Sequence, residues 1–176
     1  MGAVSETTQN RLLLLRHAKA EQAGPTDRER PLALRGRRQA SAVGAALRAD
    51  GLVPDHVLCS SALRTRQTWD LVRGALGPAG ADTVVDVRDE LYDAGPQDVL
   101  ALLAELTQAT TVLVVGHEPT MSTLAVHLAG PTSSPDVVDR VRHGVPTAGW
   151  SLLETDAPWT GLHSAGVRLR SLHVPA

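Results

Sequence analysis

The chain predicts an α/β domain, a three-layer α/β/α sandwich around a mostly parallel central sheet. Short apolar runs recur at Leu12–Leu15, Val57-Leu58, Val84–Val87 and Val112–Val115, as in strands buried on both faces. Longer stretches between them carry apolar residues at helical spacing: Val99, Leu102, Leu103 and Leu106, then Met121, Leu124, Ala125 and Leu128. Strand–helix alternation of this kind builds a sheet covered by helices on both sides.

The elements follow in order. The polar stretch Met1–Asn10 reads as a flexible tail, leaving residues 11–176 as one domain. Helices are expected from Leu34 to about Leu47 and from Leu63 to about Leu76, each between two of the apolar runs. Ser60 or Ser61 is placed to cap the second, and Pro119 suits the first turn of the helix that holds Met121. Pro131–Pro135 reads as a loop. Trp150–Glu154 and Val167–Val174 look like late strands, with the turn at Pro158–Gly161 between them.

Composition narrows the function. The 176 residues suffice for one sizeable core, which must be built from Leu, Val and Ala because aromatics are only 2% and phenylalanine is absent. A net charge of −2 gives no global basic field for nucleic acid. Cys59 is the single cysteine, which excludes an intramolecular disulfide and fits a reducing compartment. No apolar run approaches the roughly 20 residues of a membrane span, and Glu6 stands where a myristoylation motif wants Ser or Thr. A cytoplasmic location, without membrane or nucleic-acid partners, is the expectation.

The chemistry concentrates where apolar runs end. Arg16-His17 follows Leu12–Leu15, Gly116-His117-Glu118-Pro119 follows Val112–Val115, and Arg64 lies in the segment Cys59–Thr68. An α/β sheet gathers such strand ends into one crevice. Two histidines and two arginines would converge there, a set suited to holding a phosphoryl group and moving it through a histidine.

These motifs, Arg-His-Ala, Ser-x-x-x-Arg-x-x-Gln-Thr and Gly-His-x-Pro in that order, resemble the histidine phosphatase (phosphoglycerate mutase-like) superfamily. Within it, the short length and the segments Arg-His-Ala-Lys-Ala and Arg-Pro-Leu-x-x-Arg-Gly-Arg look like the small phosphohistidine phosphatase branch related to SixA. The resemblance implies a phosphoglycerate mutase-like fold and His17 as a nucleophile forming a phosphohistidine. Arg16 and Arg64 would fork onto the phosphoryl oxygens, with His117 as a further donor. It also implies a proton donor: Leu91-Tyr92-Asp93 matches the mutase-like pattern of an acid two residues after a leucine. The small branch often lacks this acid, and Glu90, Glu118, Glu21 and Asp27 compete with Asp93 for the role. The basic cluster Arg30–Arg37 falls near the site mouth, either as a solvated helix start or as a dock for an acidic partner.

Rival chemistries lack their residues. A cysteine-dependent phosphatase needs Cys-x5-Arg, but Thr65 stands six positions after Cys59. The only lysine, Lys19, follows Ala18 and makes no P-loop. Nor is there zinc-ligand spacing. The expected activity is therefore a phosphatase without metal or cofactor. Its substrate would be phosphohistidine on a protein, or a small phosphorylated metabolite. A catalytically dead phosphate-binding or docking module is the alternative from another class.

Overall fold

The computed structural model describes residues 9–175; most of the expected tail, residues 1–8, lies outside them. Asn10, assigned above to that tail, already belongs to the first strand and anchors it by donating from its side-chain amide to Ala157 O at 3.0 Å.

Six strands, β1 (Asn10–Arg16), β2 (His56–Ser60), β3 (Val84–Arg88), β4 (Thr111–Gly116), β5 (Trp150–Thr155) and β6 (Arg168–His173), form one sheet in the order β3-β2-β4-β1-β5-β6. The pairings β3–β2, β2–β4 and β4–β1 are parallel; β1–β5 and β5–β6 are antiparallel. β1 and β4 lie in the middle, so their carboxyl ends define the centre of the crevice.

Alternation along the central strands builds two cores. Leu12, Leu14, Val112 and Val114 point to one face and pack under α3 (Pro96–Ala104), α4 (Thr120–Leu128) and α5 (Pro135–Arg142). Leu13, Leu15, Leu113 and Val115 point to the other, under α1 (Leu34–Ala49) and α2 (Leu63–Leu76). This is the expected three-layer sandwich. Helices α1 and α2 approach so closely at Gly44 that a Cβ there would meet Val72 O at 2.3 Å, which requires glycine.

Two local expectations are corrected, and one helix is added. Val84–Val87 is not buried on both faces: β3 is an edge strand, and Val84 and Val87 are about half exposed, at 54% and 51%. Neither serine caps α2, whose N-cap is Ala62; Ser61 instead accepts from Arg28 and Ser60 turns toward the crevice. The helix α5 was not read from the sequence. Its signal was Pro135 at the first turn, followed by Val137, Val138 and Val141 at helical spacing. The Pro158–Gly161 turn holds a short 3-10 helix, and its Trp159 is buried and donates to Ala109 O at 2.7 Å.

Candidate active site

The ends of β1 and β4 are tied together where His17 N donates to Gly116 O at 3.0 Å. That bond sets His17 and His117 side by side, with ring centroids 5.4 Å apart. Arg64, on the first turn of α2, reaches in from the β2 side, and its Nη2 lies 3.5 Å from His117 Nδ1. Thr68 locks α2 to the strand end: its hydroxyl donates to Arg64 O at 2.7 Å and accepts from Ala18 N at 3.0 Å. Thr68 closes the Ser-x-x-x-Arg-x-x-Gln-Thr motif in the sequence, and its hydroxyl is what joins Arg64 to the end of β1.

His17 is 8% exposed, and its Nδ1 lies 2.8 Å from Ala18 O. A carbonyl only accepts, so Nδ1 carries the proton and Nε2 keeps its lone pair. Burial, helped by Arg64 and Arg16, pushes the pKa of His17 down to about 4 against the pull of the Ala18 bond. The imidazole is neutral near pH 7, with an unprotonated nitrogen.

His117 is neutral for the same first reason. Burial, then the neighbouring His17 and Arg64, lower its pKa to about 3. Arg64 can only donate, so Nδ1 of His117 accepts and Nε2–H donates to Ser60 Oγ at 2.8 Å.

The two arginines keep donors in reserve. Arg16 Nη1 donates to Val145 O at 2.9 Å, and Arg64 Nη1 donates to Asp27 O at 2.7 Å. The Nε of each is buried without a hydrogen-bond partner among the described residues. Arg16 Nη2 has no hydrogen-bond partner among the described residues, and a guanidinium with a free edge can fork onto a tetrahedral oxyanion.

Sequence reasoning brought four residues here, and the structure brings Arg16, His17, Arg64 and His117 together. It treats the acids differently. Asp93 is exposed and makes no hydrogen bond or ion pair among the described residues. Its neighbour Tyr92 turns inward instead, edge-on to His117 with centroids 5.6 Å apart. Asp27, one of the competitors, lies at the rim: its Oδ2 is 3.1 Å from Arg64 Nη2 and accepts from the Tyr92 hydroxyl. The Tyr92 bond and the arginines Arg64 and Arg30 hold the Asp27 carboxyl below the usual range. Arg28 stacks over Tyr92 at 4.3 Å and pairs with Asp89, completing one wall.

A cleft of about 320 Å³ beside Trp159 does not compete as the site. It opens at the opposite end of the strands, near Asn10 and Thr110, and no ionisable side chain lines it. Among the described residues no group of three or more His, Cys, Asp or Glu side chains gathers as a metal site. No helix is long and apolar enough to cross a membrane.

The model of the histidine phosphatase superfamily (branch 1) matches residues 12–96. A candidate phosphohistidine phosphatase SixA from Nakamurella multipartitia is 35% identical, covering 96% of this chain and 97% of that one, with a TM-score of 0.82. The chain belongs to the histidine phosphatase superfamily. It is a hydrolase of the SixA-like branch with the phosphoglycerate mutase-like fold. A second solved structure, a candidate SixA from Agrobacterium tumefaciens, is 30% identical over 94% of this chain and 98% of that one, with a TM-score of 0.76. An uncharacterized protein of Mycobacterium tuberculosis is 38% identical, spanning 92% of this chain and 99% of its own length.

Proposed function

We propose that this histidine phosphatase removes phosphate from phosphohistidine on a protein, through a covalent intermediate on His17. One observation carries the reading: Ala18 O fixes the Nδ1 proton, so the free lone pair of His17 sits on Nε2, in the field of the Arg16 and Arg64 guanidiniums. The resemblance to candidate phosphohistidine phosphatases supports the choice of substrate.

In the first step Nε2 of His17 attacks phosphorus, a new P–N bond forms and the P–N bond of the substrate breaks. The released imidazole takes its proton from water. In the second step water attacks phosphorus, the His17 P–N bond breaks, and orthophosphate leaves. Arg16 and Arg64 neutralise the equatorial oxygens in both steps. His117 stabilises the charge further: a bound dianion raises its lowered pKa and favours the protonated, doubly donating form. An imidazole leaving group needs little acid assistance, so no side chain is assigned as an obligatory acid.

The test is turnover of a chemically phosphorylated histidine peptide against a panel of phosphorylated metabolites, with trapping of the labelled enzyme by an alkaline detergent quench. An acid-labile, base-stable phosphoenzyme that is absent in His17→Ala supports the reading. Turnover confined to metabolites would assign the same chemistry to a small-molecule phosphatase. Phosphate binding with no turnover at all would leave a docking module.

A further inference from the structure

The first turn of α1 is seated on the strand-end segment that carries His17. Ala33 N donates to Lys19 O at 2.9 Å. A Cβ on Gly36 would meet that same oxygen at 2.0 Å, so only glycine lets the helix come this close. The side chains that this contact presents at the surface are Lys19, Leu34, Arg35, Arg37 and Arg38, all exposed.

Two features set this patch apart. The four cations have no ion-pair or hydrogen-bond partner for their side chains among the described residues, and α1 carries no carboxylate from Leu34 to Ala49. By contrast Arg28, Arg64 and Arg88 are all paired. In a protein of net charge −2 this is a local concentration of unspent positive charge. At its centre Leu34 is 65% exposed, the most exposed large apolar side chain among the described residues. On a helix Leu34 neighbours Arg37 and Arg38, and Arg35 neighbours Arg38.

We infer that this patch docks the acidic protein surface surrounding the phosphohistidine of the substrate. The proposal rests on the phosphohistidine reading above. Charge selects a polyanionic partner, and Leu34 selects a protein among polyanions, because a solvent-facing leucine ringed by guanidiniums suits a partner with both carboxylates and an apolar contact. Lys19 is two residues from His17, so the patch is built on the same strand-end segment that carries the proposed nucleophile.

The test compares two synthetic phosphohistidine peptides, one flanked by glutamates and a leucine, the other by glutamines and the same leucine. The enzymes are wild type and the triple variant Lys19→Glu, Arg35→Glu, Arg38→Glu. At low ionic strength wild type should favour the acidic peptide by about tenfold in kcat/KM, and added salt should erase the difference. The triple variant should lose or invert the preference while hydrolysing p-nitrophenyl phosphate at the wild-type rate, which also reports an intact fold. Equal turnover of both peptides by wild type overturns the docking proposal and leaves the phosphohistidine reading standing. So does a preference that survives in the triple variant. Hydrolysis of p-nitrophenyl phosphate with neither peptide accepted overturns both readings together.

Discussion

Asp27 and Arg64 are joined twice. Arg64 donates from Nη1 to the backbone oxygen of Asp27 at 2.7 Å and from Nη2 to its carboxylate at 3.1 Å. The arginine side chain is buried at 7% exposure, whereas the aspartate is open to solvent at 56%. In the proposed mechanism a phosphoryl group that binds Arg64 competes with this carboxylate for the guanidinium.

Asp27→Asn should therefore tighten the binding of inorganic phosphate. The gain is modest, about threefold, because an ion pair with one exposed partner is worth little. The readout is the inhibition constant of phosphate at constant ionic strength. Weaker inhibition would show instead that Asp27 holds Arg64 in its working position.

His17→Ala should fold normally and lose turnover by at least about a thousandfold, as when other covalent nucleophiles are removed. The measurement is steady-state hydrolysis of an aryl phosphate together with circular dichroism. A folded variant retaining more activity than that places the nucleophile elsewhere.

The lowered histidine pKa values make a pH prediction. Both His17, at about 4, and His117, at about 3, lie below the ordinary 6.5 when folded. The unfolded chain then binds more protons than the folded one between these values, so stability falls as pH drops from about 6.5 toward 3. In the free enzyme the His17 ring should stay neutral through pH 6, visible as unshifted imidazole resonances by NMR. Phosphate binding should draw in protons near pH 6, measurable as a buffer-dependent heat. A His17 midpoint near 6.5 would remove the basis for a free Nε2 enforced by burial.

Asp93→Asn should leave hydrolysis of phosphohistidine and aryl phosphates within about twofold, since the side chain is exposed and unpartnered among the described residues. General-acid help is typically worth about a hundredfold where the leaving group is basic. A loss of that size confined to alkyl phosphates would return the acid role to Asp93.

Activity should survive prolonged treatment with EDTA, because the proposed mechanism neutralises the phosphoryl charge with Arg16 and Arg64. Loss on chelation, restored by a divalent cation, would overturn the mechanism proposed here.

The sequence by itself determined the layers and the strand ends. Leu12–Leu15 and Val112–Val115 are local patterns, set by burial on both faces, and the polar residues after them had to emerge at the carboxyl edge of the sheet. Arg16, His17 and His117 were legible for that reason. The tertiary structure alone decided which strands lie at the edge, so Val84 and Val87 are exposed although their run reads like that of β4. It alone decided that Tyr92 rather than Asp93 turns inward, and that Asp27 reaches Arg64 across 37 residues and Tyr92 across 65. Such contacts form between surfaces that only folding brings together. No spacing along the chain encodes them, whereas hydrophobic period and strand-end position are written into neighbouring residues.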